Sequence, residues 1–180
     1  WEKYDAEADD LVIEIDPGMA FGTGTHHTTS MCMEYLEEII TPQAEVFDVG
    51  TGSGILSIAA AKLGVKSIVA VDIDANAVRI AKENIAGNGL SEVIAVKEGD
   101  LLHGTEGKAN VIIANIIADI IIMLLPDVAQ KLKADGKFLA SGIIEEREDD
   151  IKQAVSASGL KVVSTRHKGG WVAMLMALED

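Results

Sequence analysis

Residues 45–64 read EVFDVGTGSGILSIAAAKLG, and few folds accommodate that stretch. Val46 to Val49 is an apolar run of strand length. Gly50 to Gly54 is a tight turn with glycine at every second position, and Ile55 to Leu63 is a small-residue helix closed by Gly64. A strand, a glycine turn and a helix in succession open a βαβ unit, whose next strand runs parallel to the first. The chain then repeats the alternation. Strand patterns fall at Ser67–Asp74, Val93–Asp100, Asn110–Asn115 and Lys137–Ile143, and helical patterns at Ala75–Asn88, Ala118–Leu132 and Glu145–Ser156. Ahead of this block, Leu11–Ile15 reads as a short edge strand stopped by Pro17-Gly18. A helix follows from Thr28 to Ile40, with Thr28, Thr29 and Ser30 as N-cap candidates. Two strands, LKVVSTR and WVAMLMAL, close the chain with only HKGG between them. No helix fits in that gap, so the last strand is expected to run antiparallel to its predecessor. The expected fold is α/β, a mostly parallel sheet with helices on both faces.

Composition narrows the class. The chain has 180 residues, 48% of them apolar, which suits one folded domain rather than a disordered segment. Its 29 acidic and 15 basic side chains give a formal charge of −14, a poor match for nucleic acid and a good one for a basic protein or an amine. Cys32 is the only cysteine, so no disulfide framework exists, as expected of a cytoplasmic protein. The most apolar run, Val111 to Leu125, is too short to span a bilayer and carries Asn115 and Asp119.

In an open parallel sheet, ligands bind beyond the carboxyl ends of the strands. The glycine turn sits there, and its spacing separates two cofactor classes. The dinucleotide fingerprint G-x-G-x-x-G/A would place its third small residue at Ile55 or at Ser57, and neither register fits well. What stands here is Asp48-x-Gly50-x-Gly52-x-Gly54.

That pattern resembles the first motif of class I S-adenosylmethionine-dependent methyltransferases. Asp72 and Asp100 end the next two strands, where the family places carboxylates on the ribose hydroxyls and near the adenine amino group; Leu101 would flank the ring. The resemblance narrows further. The run DPGMAFGTGTHHTT (Asp16 to Thr29) is similar to the signature of the ribosomal protein L11 methyltransferase family. ANIIADIIIMLLP, GKFLASGIIEERED and GGWVAMLMAL resemble later stretches of that family. The match spans essentially the whole chain.

The resemblance implies a Rossmann-like, seven-stranded sheet and a protein N-methyltransferase. S-adenosylmethionine would be the cofactor and S-adenosylhomocysteine the product. Lysine and N-terminal amines of ribosomal protein L11 would be the acceptors, with no direct nucleic-acid or membrane partner. The implied cofactor residues are Phe21, Thr25, Thr29, Gly50, Gly52, Gly54, Asp72, Asp100 and Asn115, with Asn115 also orienting the amine. The glycine- and threonine-rich opening run would close over the cofactor as a lid. Phe21 reads equally as a loop anchor in the core, and Asp119 as a proton acceptor or a polar residue at a helix start. No metal is expected, because the adjacent His26 and His27 are poorly placed to share one ion. The family carries proline where His27 stands, a departure expected to loosen the loop.

Many nitrogen methyltransferases carry Asn-Pro-Pro-Tyr at the fourth strand's end, whereas this chain carries Asn115-Ile116-Ile117-Ala118. The missing aromatic favours a flexible aliphatic amine over a nucleobase. The family also carries an N-terminal substrate-recognition domain. Residues 1–180 are therefore expected to be the catalytic domain, with 1–15 the remnant of a linker, although natural processing would leave the same start. Three readings compete: methylation of another protein lysine or small amine, a non-catalytic binding module, and a nicotinamide-dependent oxidoreductase.

Overall fold

The computed structural model describes residues 26–180, with side chains from His27 onward. Helix α1 (His26–Ile39) leads into strand β1 (Glu45–Val49), helix α2 (Ile55–Lys62), strand β2 (Ser67–Asp72), helix α3 (Ala75–Gly87) and strand β3 (Ile94–Glu98). A 3-10 turn (Leu101–Gly104) precedes strand β4 (Ala109–Asn115), helix α4 (Ala118–Lys131) and strand β5 (Leu132–Ile144). A second 3-10 turn (Glu145–Arg147), helix α5 (Glu148–Ala157), strand β6 (Leu160–Lys168) and strand β7 (Trp171–Leu178) complete the fold. The seven strands form one sheet in the order β3-β2-β1-β4-β5-β7-β6. The pairs among β1 to β5 are parallel, and β7 runs antiparallel to both β5 and β6; β6 extends through Lys168, so only Gly169-Gly170 links it to β7.

Strands buried on both faces explain the near-continuous apolar runs in the sequence. In β1, Val46 packs with Met31 and Leu36 of α1 and Leu56 of α2. Its neighbour Phe47 packs on the opposite face with Ile121 and Leu124 of α4. The same alternation places Ile113 with the first set and Ile112 with the second. α1, α2 and α3 therefore cover one face, and α4 and α5 the other.

Helix α4 contains Pro126 in its interior, a placement that costs about 3 kcal/mol. Ile121, Leu124, Leu125 and Val128 are fully buried on the same helix, and each such side chain contributes about 1.5–3 kcal/mol, so packing overrides the break.

Several expected boundaries move. α1 begins at His26, so Thr28, Thr29 and Ser30 lie inside its first turns rather than capping it, and His27 is helical rather than part of a loop. β5 begins at Leu132, directly after α4. Leu132 pairs with Ala109 and Lys137 with Val111, so residues 133–136 bulge out within a strand expected to begin only at Lys137. The charged helix splits into the second 3-10 turn and α5. The strand expected at Leu11–Ile15 lies outside the described residues.

Cys32 of α1 is buried against Ser141 and Asp48, and burial pushes its thiol up to about 12. Its thiolate is therefore scarce at neutral pH, and the sulfur is sealed in the core. We expect Cys32 to resist an aromatic disulfide reagent at pH 8 in the native protein and to react stoichiometrically in denaturant. Rapid native labelling, followed by absorbance, would contradict this packing.

Candidate functional site

The winding reverses between β1 and β4. Residues that follow those strands, and their neighbours, meet along one edge of the sheet around a cleft of about 640 Å³. Along that edge the strand order sets out the lining residues: Asp100 after β3, Asp72 on β2, Gly50 after β1, Asn115 on β4, Gly142 on β5 and Trp171 on β7.

The glycine turn is built from Asp48 outward. The buried Asp48 carboxylate accepts from the Thr51 and Ser57 hydroxyls, both at 2.7 Å. Desolvation holds its pKa above the usual carboxylate range, partly opposed by those two bonds. The Gly50 and Thr51 amides donate to the Val71 carbonyl at 2.8 and 3.0 Å, tying the turn to β2. Each glycine has its own reason. At Gly50 (φ 72°) a Cβ would sit 2.8 Å from the Ile116 side chain. Gly52 (φ 56°) donates its amide to Asp72 Oδ2 at 2.9 Å. Gly54 takes a left-handed φ of 86°, while a Cβ there would meet Ala81 of α3 only at an ordinary 3.5 Å.

Asp72 is half-buried. Its Oδ1 also accepts from the Asp74 amide, at 3.0 Å, so both oxygens are fixed in place. A carboxylate oxygen has two lone pairs, which leaves each able to accept a ligand hydroxyl as well. Two apolar side chains flank this region. Ile73 is 71% exposed, and Leu101 adopts φ 53°, the one non-glycine in the left-handed region among the described residues. That conformation costs about 1–3 kcal/mol and is typical of ligand-contacting turns. A ribose-sized diol at Asp72 beside a planar ring between Ile73 and Leu101 fits this donor and acceptor set.

The centre of the cleft holds Asn115. It is only 7% exposed, and its Nδ2 donates to Thr28 Oγ1 at 3.5 Å. Its Oδ1 is buried without a hydrogen-bond partner among the described residues. Such an acceptor costs about 1–3 kcal/mol unless something donates to it. Gly142 (φ 81°) lies alongside, and a Cβ there would fall 3.0 Å from Oδ1 and 2.7 Å from the Ile116 carbonyl.

The structure gathers Gly50, Asp72, Asp100 and Asn115 on the cleft wall. Gly52 and Gly54 shape the turn from behind. Thr29 is buried in the first turns of α1, and its neighbour Thr28 lines the cleft. Phe21 and Thr25 lie outside the described residues. Asp119 is exposed and held by Arg147 at 2.7 Å, as suits a polar residue at a helix start. Sequence reasoning passed over Ile73, Gly142 and Trp171. An apolar residue set between Asp72 and Asp74 at a strand end, and an aromatic directly after Gly169-Gly170, were the available signals.

The family model for ribosomal protein L11 methyltransferase (PrmA) matches residues 1–179. A relative named ribosomal protein L11 methyltransferase in Desulfitobacterium hafniense is 49% identical over 97% of this chain and 55% of its own length. One of the same name in Caldanaerobacter subterraneus subsp. tengcongensis is 51% identical over 98% of this chain and 56% of its own. The chain thus spans about half the length of the curated relatives it matches. The crystal structure of ribosomal protein L11 methylase from Lactobacillus delbrueckii subsp. bulgaricus superposes with a TM-score of 0.93 at 38% identity. That match covers 100% of this chain and 92% of that one.

Asp48 gives the site a pH signature. Its raised pKa means that the folded state binds the proton more tightly than the unfolded state, so its contribution to stability declines as pH rises above the ordinary carboxylate value of about 3.9. Asp48→Asn keeps an acceptor for Thr51 and Ser57 and removes the titration. Urea unfolding at pH 4.5 and 7.5 should show the variant gaining on the wild type at the higher pH. A difference independent of pH would contradict the assignment.

Proposed function

The chain belongs to the ribosomal protein L11 methyltransferase family, and on that premise we propose that it transfers methyl groups from S-adenosylmethionine to lysine and N-terminal amines of ribosomal protein L11. The observation that carries this reading is the buried, unpartnered Asn115 Oδ1 at the centre of the cleft, on the strand beside the one that leads into the glycine turn. The partner is a basic ribosomal protein, which suits the net charge of −14, and the setting is cytoplasmic. Among the described residues no helix is long and apolar enough to cross a membrane.

When bound, the cofactor supplies a methyl carbon on a positively charged sulfur. The chain's residues do the rest. Asp72 would accept from the ribose hydroxyls, Asp100 would take the adenine amino group, and Gly50 would let backbone approach closely. Thr29, in the first turns of α1 beside the cleft-lining Thr28, would take the methionine carboxylate, with the helix dipole in support. Asn115 Oδ1 accepts an N–H of the neutral amine and aims its lone pair at the methyl carbon. With a methyl sulfonium held there, the amine would take the methyl group in line while the S–C electron pair stayed with sulfur, and the ammonium product would release its proton to solvent. Alignment of nucleophile, carbon and sulfur supplies most of the rate.

Calorimetric titration with S-adenosylmethionine tests the cofactor, and NADH serves as the control. Asp72→Ala should weaken binding by roughly tenfold or more, the loss of a charged hydrogen-bonding partner. Asn115→Ala should leave that affinity within about threefold while turnover on ribosomal protein L11 falls by roughly a hundredfold, the scale of a lost transition-state contact. Equal losses in both quantities would remove Asn115 from the chemistry. Saturable binding of NADH alone would overturn the reading.

A further inference from the structure

The reading above gives Asn115 the task of accepting from the amine, and that task depends on which end of its side-chain amide faces the acceptor. Oxygen there accepts an N–H and leaves the nitrogen lone pair free. An amide flipped about its Cβ–Cγ bond would present Nδ2 instead, a donor that engages the lone pair needed for attack. We propose that Thr28 is the positioning residue that chooses between the two orientations. Its hydroxyl accepts from Nδ2 and so reserves Oδ1 for the amine. The inference rests on the methyltransferase reading and adds to it how the amide is aimed.

Thr28 is buried and lines the cleft together with Asn115. Asn115 Nδ2 lies 3.5 Å from Thr28 Oγ1, a long hydrogen bond, and catalytic bonds of this kind often tighten in the reacting complex. Oδ1, at the other end of the same amide, has no partner among the described residues. The two ends are thus already distinguished: α1 engages Nδ2, and Oδ1 awaits a donor. Ser141 keeps α1 in register with β4. It is the ladder partner of Asn115, its carbonyl accepts from the Ile116 amide at 3.0 Å, and its hydroxyl donates to the Thr28 carbonyl at 3.4 Å. One turn further along α1, Cys32 is buried against the same serine. The β6–β7 hairpin holds the first turns of α1 from outside. Lys168 Nζ donates to Ser30 Oγ at 3.0 Å. The His27 ring fills the space a side chain on Gly169 would need, since a Cβ there would fall 2.6 Å from it. Held on both flanks, the Thr28 hydroxyl is a fixed reference against which the amide is set.

The test reads the Asn115 side-chain amide by nuclear magnetic resonance of the nitrogen-15-labelled chain, with Asn115→Asp identifying its signals by their loss. In the wild type the proton facing Thr28 is expected well downfield of its partner and slow to exchange with solvent. Thr28→Val keeps the shape and removes the hydroxyl. It should bring the two protons together and speed their exchange, and Thr28→Ser should restore the wild-type pattern. In Thr28→Val, kcat on ribosomal protein L11 should fall roughly tenfold, the scale of one hydrogen bond, with KM and S-adenosylhomocysteine affinity held within about threefold. In an Asn115→Ala background the same substitution should cost nothing further, because Thr28 acts through Asn115. Fast exchange in the wild type, signals unmoved in Thr28→Val, or an undiminished loss in the Asn115→Ala background would overturn the positioning role. If the valine variant does not fold, the wild-type signals and the serine variant still decide. Absence of S-adenosylhomocysteine binding in the wild type would instead strike the methyltransferase reading, while the amide signals still report on Thr28.

Discussion

At the reversal point of the sheet, the turn after β1 and the turn after β4 press together at Gly50 and Ile116. No side chain fits between them, since even a Cβ on Gly50 would lie 2.8 Å from Ile116. This contact fixes the distance between the two halves of the cleft. On one side lie Asp72, Ile73 and Asp100, on the other Asn115, Gly142 and Trp171. Gly50 also has φ 72°, so a larger residue would meet both backbone strain and a steric clash. The geometry of the whole site therefore depends on one missing methyl group.

The turn keeps that position because it is tied from below and from the side. Asp48 draws in the Thr51 and Ser57 hydroxyls, and Val71 accepts from two successive turn amides. The Asp48 carboxyl is buried at an energetic cost, visible in its raised pKa, and the two hydroxyl bonds offset part of it. The Gly52 amide then holds Asp72. A single buried acid thus orders the turn, and the turn orders the acid that faces the ligand.

Much of this was legible in the sequence, for identifiable reasons. Strand patterns buried on both faces give continuous apolar runs, so β1, β2 and β4 were readable to within a residue or two. The antiparallel β7 followed from a link of four residues. Asp72 and Asp100 were singled out through the family resemblance, and both line the cleft. The boundaries that moved were those decided by contacts distant in sequence. Leu132 joins β5 because Ala109 offers a ladder partner, and α1 extends back to His26 with Thr28 and Thr29 already inside it. Trp171 was missed for a similar reason. Its strand looks like an ordinary terminal strand until the β5-β7 pairing brings its first residue to the cleft.

The two halves of the cleft also differ in chemistry. Among the described lining residues the carboxylates, Asp72, Asp74 and Asp100, all come from β2, β3 and their turns, and Asp119 near the other half is occupied by Arg147. The half beyond Asn115 offers isoleucines, a tryptophan and amide or carbonyl oxygens. A lysine ammonium must lose its proton before it can attack, and bringing a pKa of about 10.4 down to 7 costs about 4.6 kcal/mol. No side-chain base stands by Asn115 among the described residues to take that proton. Burial of a four-carbon stem contributes about 0.8 kcal/mol per methylene, of the same order as the deprotonation cost. Desolvation by the same apolar walls further favours the neutral amine. An apolar acceptor half can thus bind the stem and favour the reactive protonation state together.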